Sequence, residues 1–299
     1  MRIRRFALAV AGLSLVTGAA VAGQASAGVQ GKAQAAAEPC KVLVGAVSTA
    51  GEASATQIAA TKPPSASGPA PFQLFPVRAS ATWYYVGTGK PTSYYTGLVL
   101  QGANLYVAKS TFVLDAPAVA SSQKLGTGWA GFSTIATSNY VGPKAHKFLY
   151  GLHANGSLYR YNVTTGAVKA FGSAPGYQGF KAITVISETA TYDTLLATTK
   201  AGALWTIHIP VTAPFKATLK LVRTTGFKAY DQLVAQRCGV SSTLLTGLNT
   251  TTNKATVYAV SRATGSSTLI NTLGTVEINS EPGVRFLRTQ IEGPQLVGE

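Results

Sequence analysis

The stretch GTGWAGF at 126–132 sets a tryptophan between glycines, with a phenylalanine three residues on. Looser versions follow at 174–180 (APGYQGF) and 224–230 (TTGFKAY), and aligning Trp129, Tyr177 and Phe227 gives steps of 48 and 50 residues. A period of that length marks a repeat architecture, in which each unit buries its apolar surface against its neighbours. A hairpin recurs on the same period: YTGLVLQGANLYVAK (95–109), FLYGLHANGSLYRYNV (148–163), LLATTKAGALWTIHI (195–209) and LLTGLNTTTNKATVYAV (244–260). Each copy is an apolar strand, a small polar turn and a return strand opening on an aromatic. Those aromatics, Tyr106, Tyr159, Trp205 and Tyr258, stand at steps of 53, 46 and 53 and are expected in the core. Residues 42–61 (VLVGAVSTAGEASATQIAAT) repeat the outline without the aromatic and make a fifth copy.

Each unit also carries a strand before its hairpin (FSTIAT, FKAITVI, YDQLVAQ) and one after it (LKLVRTT at 219–225, LINTLG at 269–274). Four strands per unit, repeated radially, predict an all-β fold: a five-bladed β-propeller with about 47–53 residues per blade. The first copy has no strand ahead of Cys40 to serve as its innermost one. GVRFLRTQI (283–291) can take that place, so the ring is expected to close through a C-terminal strand. KPPSASGPAP (62–71) is predicted as a loop, because proline is kept out of central strands.

LGTGWAGFSTI (125–135) with NGSLYRY (155–161) resembles the repeat of the tachylectin-like five-bladed propeller lectins. Their blades combine a glycine-flanked Trp, a Phe three residues on and an NG-x-LY turn; Tyr177 and Phe227 depart from that pattern. The resemblance implies a non-catalytic, multivalent lectin for N-acetylated amino sugars or cell-wall glycans, with sugar pockets between adjacent blades. It casts Trp129, Tyr177 and Phe227 as the carbohydrate-binding positions, each ring stacking on the apolar face of a pyranose. Phe132, Phe180 and Tyr230, three residues on, are expected to pack between blades, with Trp129 nearer the rim and partly exposed. The alternative function is a wall-associated interaction or structural propeller that binds no sugar; a propeller-scaffold hydrolase is a third.

The first 27 residues have the pattern of a secretory signal peptide. Arg2, Arg4 and Arg5 precede an apolar run from Phe6 to Ala22, and ASA at 25–27 fits a cleavage site. The expectation is therefore a secreted, extracellular protein whose contact with membrane is the removed leader. Residues 28–38 are Ala/Gly/Gln-rich and predicted to be a disordered mature N-terminus, followed by one propeller domain over 39–299. In an oxidising compartment the two cysteines, Cys40 and Cys238, form a disulfide, two buried free thiols being the alternative. Closure makes the first and fifth blades neighbours, which suits that pairing.

Removing the three leader arginines from a formal net charge of +15 leaves +12, against three Asp and seven Glu. Such an excess favours contact with anionic surfaces, such as a bacterial wall or acidic glycans, the alternative being that a basic surface keeps a secreted protein soluble. With the resemblance, the expected partner is a carbohydrate or an anionic cell-surface glycan, and the protein is expected to be a monomer. The basic residues are scattered rather than clustered, which speaks against nucleic acid. His146, His153 and His208 lack zinc-ligand spacing, so no metal and no cofactor are expected. Asp115, Asp193, Asp231 and Glu188 sit at different places in their repeats, which disfavours a paired-carboxylate glycosidase; each is predicted in a turn or on the surface. SSQK (121–124) precedes a strand and has no SDN or KTG partner, so no catalytic residue is assigned.

Overall fold

The computed structural model describes residues 38–48, 50–68, 72–87, 92–113, 116–278, 285–290 and 295–299. The expected leader, nearly all of the expected disordered segment and Asp115 lie outside the described residues. The rest is the predicted propeller, five sheets of antiparallel strands with one 3₁₀ turn at Gly265–Ser267.

Blade 1 holds β1 (Lys41–Val47), β2 (Glu52–Ala59), β3 (Ser65–Ser67) and β4 (Phe72–Gln73); blade 2 holds β5 (Ala79–Gly87), β6 (Thr92–Gln101), β7 (Asn104–Val113) and β8 (Val119–Thr127). Blade 3 is β9 (Phe132–Tyr140), β10 (His146–His153), β11 (Leu158–Thr164) and β12 (Ala167–Ala174). Blade 4 is β13 (Phe180–Glu188), β14 (Tyr192–Thr199), β15 (Leu204–Pro210) and β16 (Thr218–Arg223). Blade 5 is β17 (Gln232–Cys238), β18 (Ser242–Asn249), β19 (Lys254–Val260) and β20 (Ile270–Glu277), and β21 (Arg285–Gln290) completes the count.

In blades 2 to 5 the strands run outward in chain order from the central axis. Blade 1 takes its innermost strand from the other end of the chain: β21 pairs antiparallel with β1 from Leu43↔Thr289 to Val47↔Arg285. It also makes a short parallel pairing with β5 at Trp83 and Tyr84, since inner strands of adjacent blades run the same way along the axis. The expected C-terminal closure is what the structure has. The segment at 62–71 differs from expectation, because Ser65–Ser67 pair with β2 as an outer edge strand. An edge strand tolerates flanking prolines, having no outer neighbour to serve.

Burial explains the sequence pattern. Middle strands are covered by a neighbouring blade on both sides, so they read as nearly continuous apolar runs; β14 and β18 each have six consecutive buried residues. Outer strands are more open: β8 is largely exposed and polar, and no residue of β12 is fully buried. Among the described residues the buried apolar side chains fall into five clusters, one at each blade–blade junction. The Cys40–Cys238 disulfide is formed at the junction of blades 5 and 1, with the Cα atoms 5.5 Å apart.

Arginines rivet these junctions through backbone carbonyls. The Arg160 guanidinium of blade 3 is fully buried, lies over the rings of Phe148, Phe171 and Phe215, and donates to the Pro210 and Thr212 carbonyls of blade 4. Arg223 of blade 4 does the same to Ser266 and Thr268 of blade 5. A chain so short of carboxylates turns to backbone oxygens as acceptors for the guanidinium groups at its junctions.

Candidate binding face

The glycines of GTGWAGF and its relatives are there for their backbone conformation. Gly128, Gly176 and Gly226 all have positive φ, at 83°, 96° and 100°, and a Cβ at any of them would meet nothing within 4 Å. The left-handed conformation itself selects glycine, since it costs an L-residue roughly 1–2 kcal/mol. That turn aims the N–H of the following aromatic at the hairpin of the preceding blade. Trp129 donates to the Ala103 carbonyl at 2.9 Å, Tyr177 to Gly156 at 2.7 Å and Phe227 to Gly202 at 3.0 Å. The motif is a blade-to-blade latch.

The latch draws its rings inward. Trp129, Tyr177 and Phe227 are only 6%, 5% and 4% exposed, so the expectation of a partly exposed Trp129 is corrected. Its indole lies 4.7 Å from the Phe132 ring and 4.8 Å from Tyr161. Burial pushes the Tyr177 hydroxyl up to about 12. Phe132 and Tyr230 are packed as expected, each over a glycine of the second strand: a Cβ on Gly151 would come within 2.6 Å of Phe132, and one on Gly247 within 2.7 Å of Tyr230. Blade 4 has Ala197 opposite Trp205 in that register, and its Phe180 is half-buried rather than buried.

The third-strand aromatics, expected in the core, are the more open set. Tyr106, Tyr159 and Trp205 are half-buried, and only Tyr258 is buried. Tyr258 also proves to occupy a different position: it pairs with Leu245, two residues ahead of Gly247, as Tyr161 pairs with Leu149 two ahead of Gly151. The longer turn between β18 and β19 shifts the register by two and keeps the same face.

The latches, the hairpin turns and the starts of the inner strands lie at one end of the propeller. There the axis opens into a cavity of about 310 Å³ to which blades 2, 3, 4 and 5 contribute. Ser80, Thr134, Thr184 and Gln232 line its polar wall, with Asp231 and Thr250 at blade 5. Arg78, at the edge, donates to the carbonyls of Gly102 (3.1 Å), Trp129 (2.8 Å) and Phe132, and so locks the blade 3 latch beside the cavity.

Among the described residues, Asp231 is the carboxylate lining this mouth. Its Oδ1 lies 2.8 Å from the Lys181 Nζ, and its Oδ2 accepts from the Thr250 hydroxyl at 2.8 Å and the Thr250 N–H at 3.2 Å. Burial alone would raise its pKa, but the hydrogen bonds and the charge of Lys181 outweigh that and hold it below the usual carboxylate value. At neutral pH it is an ionised acceptor, the wrong state for a general acid.

The other acids lie at the opposite end, and there the expectation of turn or surface positions is corrected. Asp193 is fully buried between blades 3 and 4, accepting from Ser138 Oγ at 2.5 Å and Tyr150 Oη at 2.8 Å, with His146 Nε2 at 3.1 Å. Glu188 is buried too and accepts the Asn139 N–H at 3.1 Å. Ser, His and Asp meet here, yet the serine donates to the aspartate rather than to the histidine, so no base activates its hydroxyl. His146, expected in a loop, is the first residue of β10.

This network makes a measurable prediction. Burial lowers the His146 pKa, but the hydrogen bond and charge of Asp193, the Lys144 carbonyl and Glu188 raise it further, and the net shift is upward from 6.5. A raised folded-state pKa gives stability that is full below the unfolded value and is lost as pH climbs through the folded one. The melting temperature should therefore fall as pH rises from about 6.5, and His146→Gln should flatten that slope. A parent and variant with parallel pH profiles would refute the linkage.

No family model matches the sequence, and no curated protein does. Among solved structures, the chain is similar to the catalytic domain of an alpha-L-arabinofuranosidase from Coprinopsis cinerea, at 12% identity over 66% of this chain and 68% of that one, with a TM-score of 0.44. A mutant of the Aleuria aurantia lectin in complex with alpha-methyl-L-fucoside matches at 12% identity over 81% and 80%, with a TM-score of 0.42. The periplasmic gluconolactonase of Pseudomonas aeruginosa matches at 13% identity over 79% and 80%, with a TM-score of 0.39. With every score below 0.5, these likenesses carry no argument about activity. The tachylectin-like resemblance rests on 125–135 and 155–161 alone, and the architecture rests on the strand pairing of the chain itself.

Proposed function

We propose that the protein binds carbohydrate without catalysis, at the hydroxyl-lined mouth of the propeller. The observation that carries this reading is the 310 Å³ cavity walled by serine and threonine hydroxyls with an ionised Asp231 at its edge. A sugar ring offers alternating donors and acceptors around an apolar body, and a wall of short hydroxyls beside aliphatic side chains such as Ile135 and Leu233 complements both. Glycoside hydrolysis needs a proton donor facing a second carboxylate across the bond. Asp231 is held ionised, and among the described residues no second carboxylate lines the cavity.

Stacking on Trp129, Tyr177 or Phe227, the role their motif suggests, would require each ring to leave its packed position. The open mouth requires no such movement. One axial mouth beside the three latches gives one site rather than five, so affinity has to come from a single pocket and not from avidity. Secretion belongs to the same proposal, supported by the disulfide, which suits an oxidising compartment.

A glycan array followed by calorimetry on the best ligand tests the proposal. Asp231→Asn should weaken binding about tenfold, the loss of one charged hydrogen bond. Trp129→Ala should mainly destabilise, by about 3–5 kcal/mol, and bind as the parent does at temperatures where it is folded. Loss of binding in folded Trp129→Ala with parent-like Asp231→Asn would place the sugar at the latch instead. No binding to any glycan would favour the interaction-module reading.

A further inference from the structure

The geometry points to the end of a glycan chain, rather than an internal stretch of one, as the ligand of the mouth. This deepens the carbohydrate reading above and rests on it. A site that holds the middle of a polymer has to let the chain enter and leave by different openings, as a surface groove or a through-channel does. The walls and floor of this cavity work against both routes.

The walls are joined from blade to blade. Between blades 2 and 3 the Thr82 N–H donates to the Thr137 hydroxyl at 3.2 Å, and Arg78 reaches the Trp129 carbonyl at 2.8 Å. Between blades 3 and 4 the Asn139 N–H donates to the Glu188 carboxylate at 3.1 Å. Lys181 of blade 4 meets Asp231 of blade 5 at 2.8 Å, and β21 of blade 1 pairs with β5 of blade 2. These bridges run from the rim, at Arg78 and Asp231, to the far end of an inner strand at Asn139. A chain of pyranoses could leave sideways at these junctions only by breaking them.

The lower end of the axis is crossed by the segment that starts at Gln295. The Gln295 side chain donates to the Asn139 carbonyl of blade 3 at 2.7 Å, and its own carbonyl accepts from Arg237 of blade 5 at 3.1 Å. The Leu296 carbonyl accepts the Glu188 N–H of blade 4 at 3.0 Å, and Leu296 is only 1% exposed, so the crossing is packed rather than loose. Above it the blade 2 lining runs from Arg78 to Thr82, about 13 Å at the rise of a strand. A volume of about 310 Å³ lies at the small end of the range for ligand pockets. Such a recess admits the end of a chain; an internal stretch would have to fold back on itself at the mouth.

Polarity is graded to match. Arg78, Ser133, Asp231 and Thr250 at the rim are partly or fully exposed, whereas Ala136, Ile183 and Val234 further in are buried. A terminal sugar can put its apolar face inward and keep its hydroxyls, and the rest of its chain, at the polar rim.

Two measurements on the purified protein test this. On an array of oligosaccharides tethered through their reducing ends, binding should sort by the outermost residue. Adding an unlike residue outside it should weaken the signal about tenfold or more, the size of a steric misfit in a closed pocket. The same oligosaccharides free in solution, titrated by calorimetry before and after borohydride reduction, tell the two ends apart. Array binding that survives reduction belongs to the non-reducing end; binding silent on the array and lost on reduction belongs to the reducing end. Thr134→Leu, which narrows the recess at blade 3, should weaken either kind about tenfold at an unchanged melting temperature. Binding that follows an internal repeat whatever residue lies outside it overturns the inference and leaves the carbohydrate reading intact. Binding indifferent to Thr134→Leu overturns the inference by moving the sugar off the mouth. Silence of every oligosaccharide, on the array and in solution, is the result in which the carbohydrate reading itself fails.

Discussion

A chain cut after Ile278 is expected to be insoluble or to melt far below the parent. The cut removes β21, and with it the whole inner partner of β1 from Leu43 to Val47. Those residues would turn an unpaired strand edge toward the axis, where neighbouring blades exclude water. Lost ladder bonds at about 1 kcal/mol each, with buried groups left unsatisfied, already approach the 5–15 kcal/mol that holds a typical domain together.

The same cut removes the terminal residues that staple blades 4 and 5. Glu188 donates its N–H to the Leu296 carbonyl at 3.0 Å, Gly298 to Ile186 at 2.8 Å and Ala263 to Gly298 at 2.7 Å. Leu296 is buried in the cluster between blades 3 and 4, worth roughly another 1.5–3 kcal/mol. Exposed edges of this kind also template aggregation. Thermal melts by circular dichroism decide the matter: a soluble truncated protein with the parent's melting temperature would show that blade 1 stands without β21.

The fold was legible because a propeller writes its period into the chain. Middle strands squeezed between blades have to be apolar on both faces, and their hairpin turns have to be small, so β10–β11 and β14–β15 announce themselves. Where a blade departs from the rule, the signal fades. β5 has no glycine–aromatic latch before it; Trp83 packs over Gly97 from within the strand, where a Cβ would lie 2.6 Å away. β3 is three residues long and follows prolines, so composition alone calls it a loop.

The candidate site was much less legible, for a physical reason. Its wall is assembled from Ser80, Thr134, Thr184, Gln232 and Thr250, one or two from each of four blades and about 50 residues apart. Each is an ordinary inner-strand or turn residue without a local signature, and only radial closure brings them together. The rings that did stand out, Trp129 above all, stood out because a latch needs a bulky anchor behind a left-handed glycine. That requirement is structural, and sequence spacing cannot tell it from a stacking platform. Asp231 was visible as a carboxylate, but its ion pair with Lys181 comes from the next blade and had no sign in the chain.

Replacing both cysteines by alanine is the second change expected to have a large effect. Cys40 immediately precedes β1 and Cys238 ends β17, so the bond joins the two blades between which the circle closes. It spans 198 residues, and restricting a loop of that length in the unfolded chain is worth about 5 kcal/mol in the chain-entropy account. Engineered and native cases commonly deliver less, so the expected loss is about 3–5 kcal/mol, or roughly 6–20 °C in melting temperature for a domain of this size. β1 is held on one side by β21 and at its start by the disulfide, and both act on the same junction. The double alanine variant and the truncation should therefore couple rather than add, as neighbouring perturbations do. Mass spectrometry of the unreduced protein should yield a single peptide pair containing Cys40 and Cys238, and reductant should reproduce the alanine variant's lower melting temperature. Two free thiols in the native protein, or a melting temperature indifferent to reductant, would remove the bond from the account of how the ring is closed.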